Sequence, residues 1–376
     1  MTSLAFSALQ LRSQNTQWQN FAKQLGAIET VTATDQVVKL SKDYYHFSPV
    51  LTAQLQDVTG DIVVRPKTEA EVLTVAQACV DFKVPLTVRG AGTGNYGQAM
   101  PLAGGVVLDL SAMSKVKWVK PGRACVEPGA KLAAIDRVTR PQGWEIRMAP
   151  STYRTATIGG FVGGGSGGIG SVMYGQLADR GSVQAVRVVT MEDTPRIIEL
   201  RGDEVQQVNH AYGTNGIMTE LEIPLGPAYP WAEVIVVFDE FMDAARFGQA
   251  LGDADGIIKK LISIHAWPIP SYFNALQSSL PEGKAAALLM VSEADLEALS
   301  ALVKDWGGEV TYQKDAQAAA KGAAVAEFTW NHTTLHARNA DAGWTYLQTV
   351  FPYDPELKLV QHMYEHFGDE VVMHLE

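Results

Sequence analysis

The run Asp61-Ile62-Val63-Val64-Arg65 is β-branched and stopped by Pro66, so it predicts a strand. Thr68 with Glu71 three residues on makes a capping-box pattern, after which Val72, Val75, Ala76, Cys79 and Phe82 recur at helical spacing. A helix over 69–82 follows from that spacing. Leu86 to Arg89 and Val106-Val107-Leu108-Asp109-Leu110 read as the next two strands. Ala124-Cys125-Val126-Glu127 predicts another, Pro128-Gly129 a turn, and Leu132, Ile135 and Val138 the buried side of a short helix ending before Pro141. Trp144 to Met148 leads into a glycine-rich tract. Beyond it, Val183 to Thr190, Arg196 to Leu200 and Ile217 to Leu225 alternate as strands do, the first two joined by the turn Glu192-Asp193-Thr194-Pro195.

From Trp231 the texture changes. Glu233 to Phe238 reads as a strand, Phe241 to Leu251 as a helix and Lys260 to Ser263 as a second strand. The same order recurs in Ala287 to Val291, Glu293 to Asp305 and Glu309 to Tyr312, with Gly307-Gly308 as the break. Two such β-α-β units predict a ferredoxin-like antiparallel sheet backed by helices. Ahead of all this, Leu4, Leu9, Leu11, Trp18, Phe21 and Leu25 keep a loose helical period and predict one or two helices leaning on a neighbour. The expected class is α+β: a helical segment over 1–54, a domain of mixed α/β sheets over 55–228, and a ferredoxin-like antiparallel domain over 229–376.

With 376 residues, 47% of them hydrophobic, the chain is long enough for two or three domains with a sizeable core. A formal net charge of -11 disfavours nucleic acid and anionic membrane surfaces as partners. No apolar run reaches the length of a membrane span, and the opening Met1-Thr2-Ser3-Leu4-Ala5-Phe6 lacks the basic start and long apolar stretch of a secretory signal. A cytoplasmic protein is expected. Cys79 and Cys125 are the 2 cysteines, in no metal or redox spacing, and both read as buried apolar residues.

Two glycine tracts carry the candidate chemistry. The first, Arg89-Gly90-Ala91-Gly92-Thr93-Gly94-Asn95, follows a predicted strand, where α/β sheets bind ligands. Its bare backbone can turn tightly and offer N–H groups to a diphosphate, with Arg89 as a positive charge at the rim. Each charge-assisted bond of that kind contributes about 1.5–3 kcal/mol. The second, Pro150-Ser151 through Thr155, Thr157-Ile158-Gly159-Gly160, Gly164 and on to Gly170, combines hydroxyls for a polar ligand with glycines for a flat one. A nicotinamide-binding Rossmann unit needs a helix opening from the first glycines, yet Asn95-Tyr96-Gly97, Pro101 and Gly104-Gly105 are loop signals. A Walker loop fails because no Gly-Lys-Ser/Thr follows. Gly164-Gly165-Ser166-Gly167-Gly168 fits the nucleophile-elbow spacing, but glycine on every side leaves no strained turn to expose Ser166.

In order, Pro66 with Thr68 and Glu71, Arg89-Gly90-Ala91-Gly92-Thr93-Gly94, Val126-Glu127-Pro128-Gly129, Pro150-Ser151, Thr157-Ile158-Gly159-Gly160 and Gly213-Thr214-Asn215-Gly216-Ile217 resemble one known pattern. It is the flavin domain of the vanillyl-alcohol oxidase and p-cresol methylhydroxylase family, in particular its glycolate and D-lactate dehydrogenase branch. The resemblance covers about 55–228. It implies FAD held by residues 89–95, Pro150, Ser151, Thr155, Thr157–Gly160, Gly164, Gly216 and Ile217, and a second domain over the flavin ring that carries most substrate contacts. Relatives that link flavin covalently through the first loop have histidine where Thr93 stands, so non-covalent FAD is implied. The Gly-Asp-Gly-Asn-x-His signature of the hydroxy-acid branch is absent.

Clustered histidines lie in the last stretch. His332 and His336 are four apart, as are His362 and His366, and His374 follows. On helices, each pair would share a face, a spacing that suits either a divalent metal or a solvated surface. Glu327-Phe328-Thr329-Trp330-Asn331-His332 with Arg338-Asn339 are the candidate contacts for a small carboxylate substrate, with His332 and Arg338 as the catalytic candidates and no metal site assigned. The leading expectation is an FAD-dependent dehydrogenase or oxidase with an unidentified electron acceptor. The alternatives are an FAD-binding subunit without turnover of its own, and a metal-dependent lyase or hydrolase using the histidine pairs. The apolar run Val371-Val372-Met373-His374-Leu375-Glu376 suggests a chain that continues in a longer protein.

Overall fold

The computed structural model describes residues 16–165, 167–319 and 324–376. Leu4, Leu9, Leu11 and Ser166 lie outside the described residues. The chain divides into two compact units, one of residues 1–146, 153–166 and 176–227, the other of 147–152, 167–175 and 228–376. The boundaries at 55 and 228 therefore need two amendments. The helices before residue 55 pack within the first unit, and two short pieces of the second glycine tract belong to the second unit.

The first unit holds two sheets. Strands β1 (Glu29–Val31), β2 (Ile62–Arg65), β3 (Leu86–Arg89) and β4 (Val106–Asp109) order as β1-β2-β4-β3, with β2, β4 and β3 parallel and β1 antiparallel at the edge. Helix Glu69–Asp81 covers this sheet, presenting the expected Val72, Val75, Ala76 and Cys79 to the core. Its N-terminus is held by Thr68, whose hydroxyl accepts the Glu71 N–H; the Glu71 carboxylate accepts from Lys67 N instead of closing the box on Thr68. Helix Thr16–Leu25 leans on it through Phe21, which meets Phe82 edge-on at 6.1 Å.

The second sheet comprises β5 (Val116–Lys120), β6 (Arg123–Val126), β7 (Trp144–Ile146), β8 (Ala185–Val189), β9 (Ile197–Arg201) and β10 (Ile217–Pro227). The order is β5-β6-β10-β8-β9, and β7 pairs with the end of β10. A half-buried cross-tie joins the layers: Glu69 takes a bidentate bond from Arg187 on β8 (2.8 and 3.0 Å) and a third from Thr219 on β10 (2.7 Å). Between β6 and β7, helix Leu132–Thr139 corrects one expectation. It buries Leu132, Ile135, Asp136 and Thr139, whereas Val138 is 43% exposed. Positions 132, 135, 136 and 139 form one helical stripe, and 138 falls off it.

The second unit is a five-stranded antiparallel sheet of β11 (Trp231–Phe238), β12 (Lys259–His265), β13 (Ala285–Ser292), β14 (Glu309–Lys314) and β15 (His374–Leu375), ordered β14-β11-β13-β12-β15. Its first four strands have the ferredoxin-like order, as the repeated β-α-β pattern predicts. Helices Phe241–Asp253 and Leu296–Asp305 pack on Val234, Val236, Leu289 and Val291. On the opposite face Ile235, Val237 and Leu288 meet Phe273, Leu276, Val325 and Phe328. Two covered faces explain why β11 is apolar without alternation. Among the described residues no helix is long and apolar enough to cross a membrane.

The corrected stripe on helix Leu132–Thr139 has a measurable consequence. Ile135→Ala should lower unfolding stability by about 2–5 kcal/mol and Val138→Ala by no more than about 0.5 kcal/mol, as read from denaturant midpoints; equal losses would restore Val138 to the core.

Candidate FAD cradle and polar cluster

Parallel strand β3 ends at Arg89, and the glycine loop leaves from there without entering a helix. The guanidinium does not reach the rim. Arg89 is 8% exposed, tucked beneath the loop with Nη1 donating to the Lys42 carbonyl at 2.8 Å. Burial pulls its pKa down, while Asp109 and Asp43 favour its charge. Gly92, at φ +66, lies directly above it, and a Cβ there would fall on the guanidinium. Thus Arg89 shapes the loop, and the main chain faces outward. Residues 42–44 strap the loop from below: Tyr44 N donates to the Gly94 carbonyl at 2.8 Å, and Asp43 accepts from Ala99 N and Tyr45 N. Asn95 is 4% exposed, and its Nδ2 has no protein acceptor.

The second tract closes on the first inside the same unit. A Cβ at Gly90 would overlap Thr157 Oγ1 and lie 3.7 Å from Gly160 Cα, so the two segments meet because Gly90 leaves room for the Thr157 side chain. Thr157 caps helix Ile158–Gly164 by accepting from Gly160 N at 3.4 Å. Gly159 packs on the predicted Pro128-Gly129 turn, its N–H donating to the Pro128 carbonyl at 2.8 Å. Upstream, buried Asp136 anchors the entry to the tract by accepting from Tyr153 Oη at 2.8 Å and Ile146 N at 2.8 Å. Thr155 and Gly160 are exposed, and a Cβ at Gly164 would meet open space.

Other site candidates take different roles. Ile217 is 1% exposed within the first sheet's core, so only its backbone is available to a ligand. Gly216, at φ +138, stands against Val188. Pro150 and Ser151 lie in the second unit, beside the bridge between Ala149 and Ile169. Sequence reasoning missed His210 and Tyr212, both at positive φ (55° and 52°) and joined by a 3.0 Å bond between Nε2 and Oη. Their amides donate to the Val162 and Gly163 carbonyls at the end of the glycine helix. No residue pattern announces a left-handed histidine; the only signal was the nearby Gly213 to Gly216.

In the second unit, His332 and His336 lie on helix Asn331–Ala340. Both rings donate to one carbonyl, that of Glu327, from His332 Nδ1 at 3.2 Å and His336 Nε2 at 3.3 Å. His336 also stacks on Phe328, a residue of the core beneath the sheet. Burial lowers the pKa of both rings, so His332 is neutral near pH 7 with its lone pair on Nε2. Arg338 donates to the Trp344 carbonyl. Six helical steps put it about 120° round the axis from His332, so the two do not share a face. His362 and His366 stack at 6.0 Å on helix Lys358–Phe367. Among the described residues no three or more His, Cys, Asp or Glu side chains gather as a metal site requires.

A second group of polar side chains went unnoticed in the sequence. Antiparallel pairing sets His374 on β15 opposite His265 on β12, and the rings stack at 5.7 Å. Ser263, fully buried, bonds His265 Nε2 and Glu376 Oε1, each at 2.8 Å. Burial pushes the Glu376 carboxyl up to about 8 and the His374 imidazole down to about 4.

The cradle in the first unit suits an acceptor-rich cofactor: an orphaned buried amide donor, exposed glycine backbone and an open Cβ position stand on two interlocked segments. Residues 60–198 match the family described as FAD binding domain. The chain carries an FAD-binding domain. FAD is its cofactor, and the resemblance read from the motifs is borne out. The glycolate oxidase subunit GlcD of Escherichia coli K12 is 30% identical over 209 residues, 52% of this chain and 41% of that one. The mitochondrial D-lactate dehydrogenase [cytochrome] of Arabidopsis thaliana is 26% identical over 230 residues, 59% of this chain and 40% of that one. The chain therefore spans about two-fifths of the length of these curated relatives. A solved alkyldihydroxyacetonephosphate synthase shares the fold with a TM-score of 0.74 at 18% identity, over 95% of this chain and 77% of that one.

Gly90→Ala should separate the two tracts and reduce the flavin-to-protein ratio after gel filtration at least about tenfold, a loss of about 1.4 kcal/mol or more in holding FAD, with far-UV circular dichroism unchanged. Full flavin retention would disprove the interlock.

The polar cluster predicts a pH optimum of stability. Glu376 binds a proton in the folded state up to about pH 8 that the unfolded chain releases near 4.5, so stability falls as pH rises through that window. His265 and His374 refuse protons in the folded state that the unfolded chain takes up near 6.5, so stability also falls below that pH. The melting temperature should peak near pH 6.5, and Glu376→Gln should flatten the decline between 6.5 and 8.

Proposed function

We propose that this protein is an FAD-dependent dehydrogenase or oxidase acting on a CH–OH donor, a small hydroxy acid being the substrate class. The observation that supports it most is the closure of the two glycine-rich tracts on each other within a domain that matches the FAD-binding family. Relatives named as a glycolate oxidase subunit and a D-lactate dehydrogenase point to the substrate class.

In this reading the residues of the first unit that hold FAD are the backbone of Gly90 to Gly94, the Asn95 amide, Thr155, Thr157 to Gly160 and Gly164, with Gly216 and Ile217 contributing main chain only. When bound, FAD supplies the electron acceptor for the hydride leaving the substrate carbon. His332 takes the proton of the substrate hydroxyl on Nε2. Its other nitrogen is already committed to the Glu327 carbonyl, which fixes tautomer and orientation, and burial keeps the ring unprotonated and ready. Arg338, directed to the Trp344 carbonyl and set apart from His332, is the weaker of the two candidates; its guanidinium would meet a substrate carboxylate.

One relative is a glycolate oxidase subunit, which favours a second reading, in which the chain binds FAD and turns over only with a partner. One experiment addresses both. The purified protein should absorb in the blue, and anaerobic 2-hydroxy acids should bleach that band; His332→Gln should keep the flavin and slow bleaching by about 10²–10⁴-fold, the usual contribution of a general base. A band that no hydroxy acid bleaches supports the second reading. A protein that neither carries nor takes up FAD defeats both.

A further inference from the structure

The mechanism above leaves the polar row of β12 unused, yet that row ends on the segment that carries His332. Ser263 and His265 are two residues apart on one strand and so face the same side of the sheet. The Ser263 hydroxyl donates to Glu376 Oε1, and its oxygen accepts from His265 Nε2. The same Glu376 oxygen accepts a second bond, from the backbone N–H of Trp330. The Glu376 side chain is 11% exposed.

Trp330 is the residue from which helix Asn331–Ala340 departs, and it has no side-chain cap to steady that start. Its backbone stands at φ 53° and ψ −137°, a conformation crowded for any residue with a Cβ. Surrounding bonds must hold it there. The Trp330 carbonyl accepts Thr333 N at 3.0 Å within the first turn, and the Trp330 amide goes to Glu376. Between these two restraints the chain turns into the helix, and His332 follows two residues on.

We propose that Glu376 is a positioning residue for His332: by clamping the Trp330 amide it holds the strained turn that directs the first helical turn and the His332 ring. Ser263 is its support, fixing the carboxyl oxygen that Trp330 binds, and stacked His265 and His374 close the cluster behind it. This rests on the reading of His332 as the base, and the measurements below separate the two.

The test uses the FAD-loaded protein and follows the His332 ring-proton NMR signal, assigned through His332→Gln, from pH 5 to 8. Titrating or charged neighbours to be tracked with it are His336 and Glu327 from the helical segment, His265 from β12 and His374 from β15. Glu376→Gln keeps an acceptor for the Trp330 amide and should leave the His332 titration where it is. Glu376→Leu removes the acceptor, so the ring should relax toward solvent and titrate higher, toward the ordinary histidine value. Should that variant lose its fold by circular dichroism, Ser263→Ala should shift the signal in the same direction by less. Coincidence of the leucine variant with the parent protein, or of the alanine variant where leucine fails to fold, overturns the proposal. A shifted titration with an unmoved acid limb of kcat/KM leaves the positioning role intact and removes His332 as the base.

Discussion

A missing Cβ at Gly90 is the constraint on which the first unit depends. Thr157 occupies the space where that atom would stand, and both partners are the opening residues of glycine-rich segments some sixty positions apart in the chain. The room at Gly90 lets the Thr157 side chain and the Gly160 backbone approach the first tract closely. The rest of the domain maintains the approach: parallel β3 delivers one tract, the Pro128-Gly129 turn receives Gly159, and Asp136 anchors the entry through Tyr153. Most of the glycines in these tracts are there for packing. Gly159, Gly165 and Gly216 each press on a neighbour, and few face open space.

The second unit solves a different problem, that of keeping imidazoles neutral in a buried setting. His265, His332, His336 and His374 all have pKa values lowered by burial; His332 and His336 bond the Glu327 carbonyl, and His265 bonds the Ser263 hydroxyl. A neutral imidazole with one nitrogen committed keeps a single lone pair on the other, available to accept a proton.

Much of this was legible in the residues. β-branched runs, the Thr68 cap and the repeated β-α-β order located most sheet strands, though not β1, β5 or β7, and the glycine motifs identified the cofactor. What failed did so for three-dimensional reasons. Arg89 looked like a rim charge because a sequence does not show which way a guanidinium folds once Asp43 and Asp109 gather below it. Val138 passed for core because a stripe built from apolar residues alone omits Asp136 and Thr139, polar groups buried on the true face. Ser263, His265 and Glu376 escaped notice because strand pairing, and not spacing, brings positions more than a hundred residues apart into one cluster.

The first polar stretch of the chain carries no chemical motif, yet Lys42, Asp43 and Tyr44 are the floor beneath the first glycine loop. What looks like a dispensable leader is a permanent brace. Limited proteolysis or trimming near residue 45 would therefore free the Arg89 guanidinium from its carbonyl and slacken a loop lying half a hundred positions downstream. Any minimal version of this flavoprotein must begin well before its recognisable glycines.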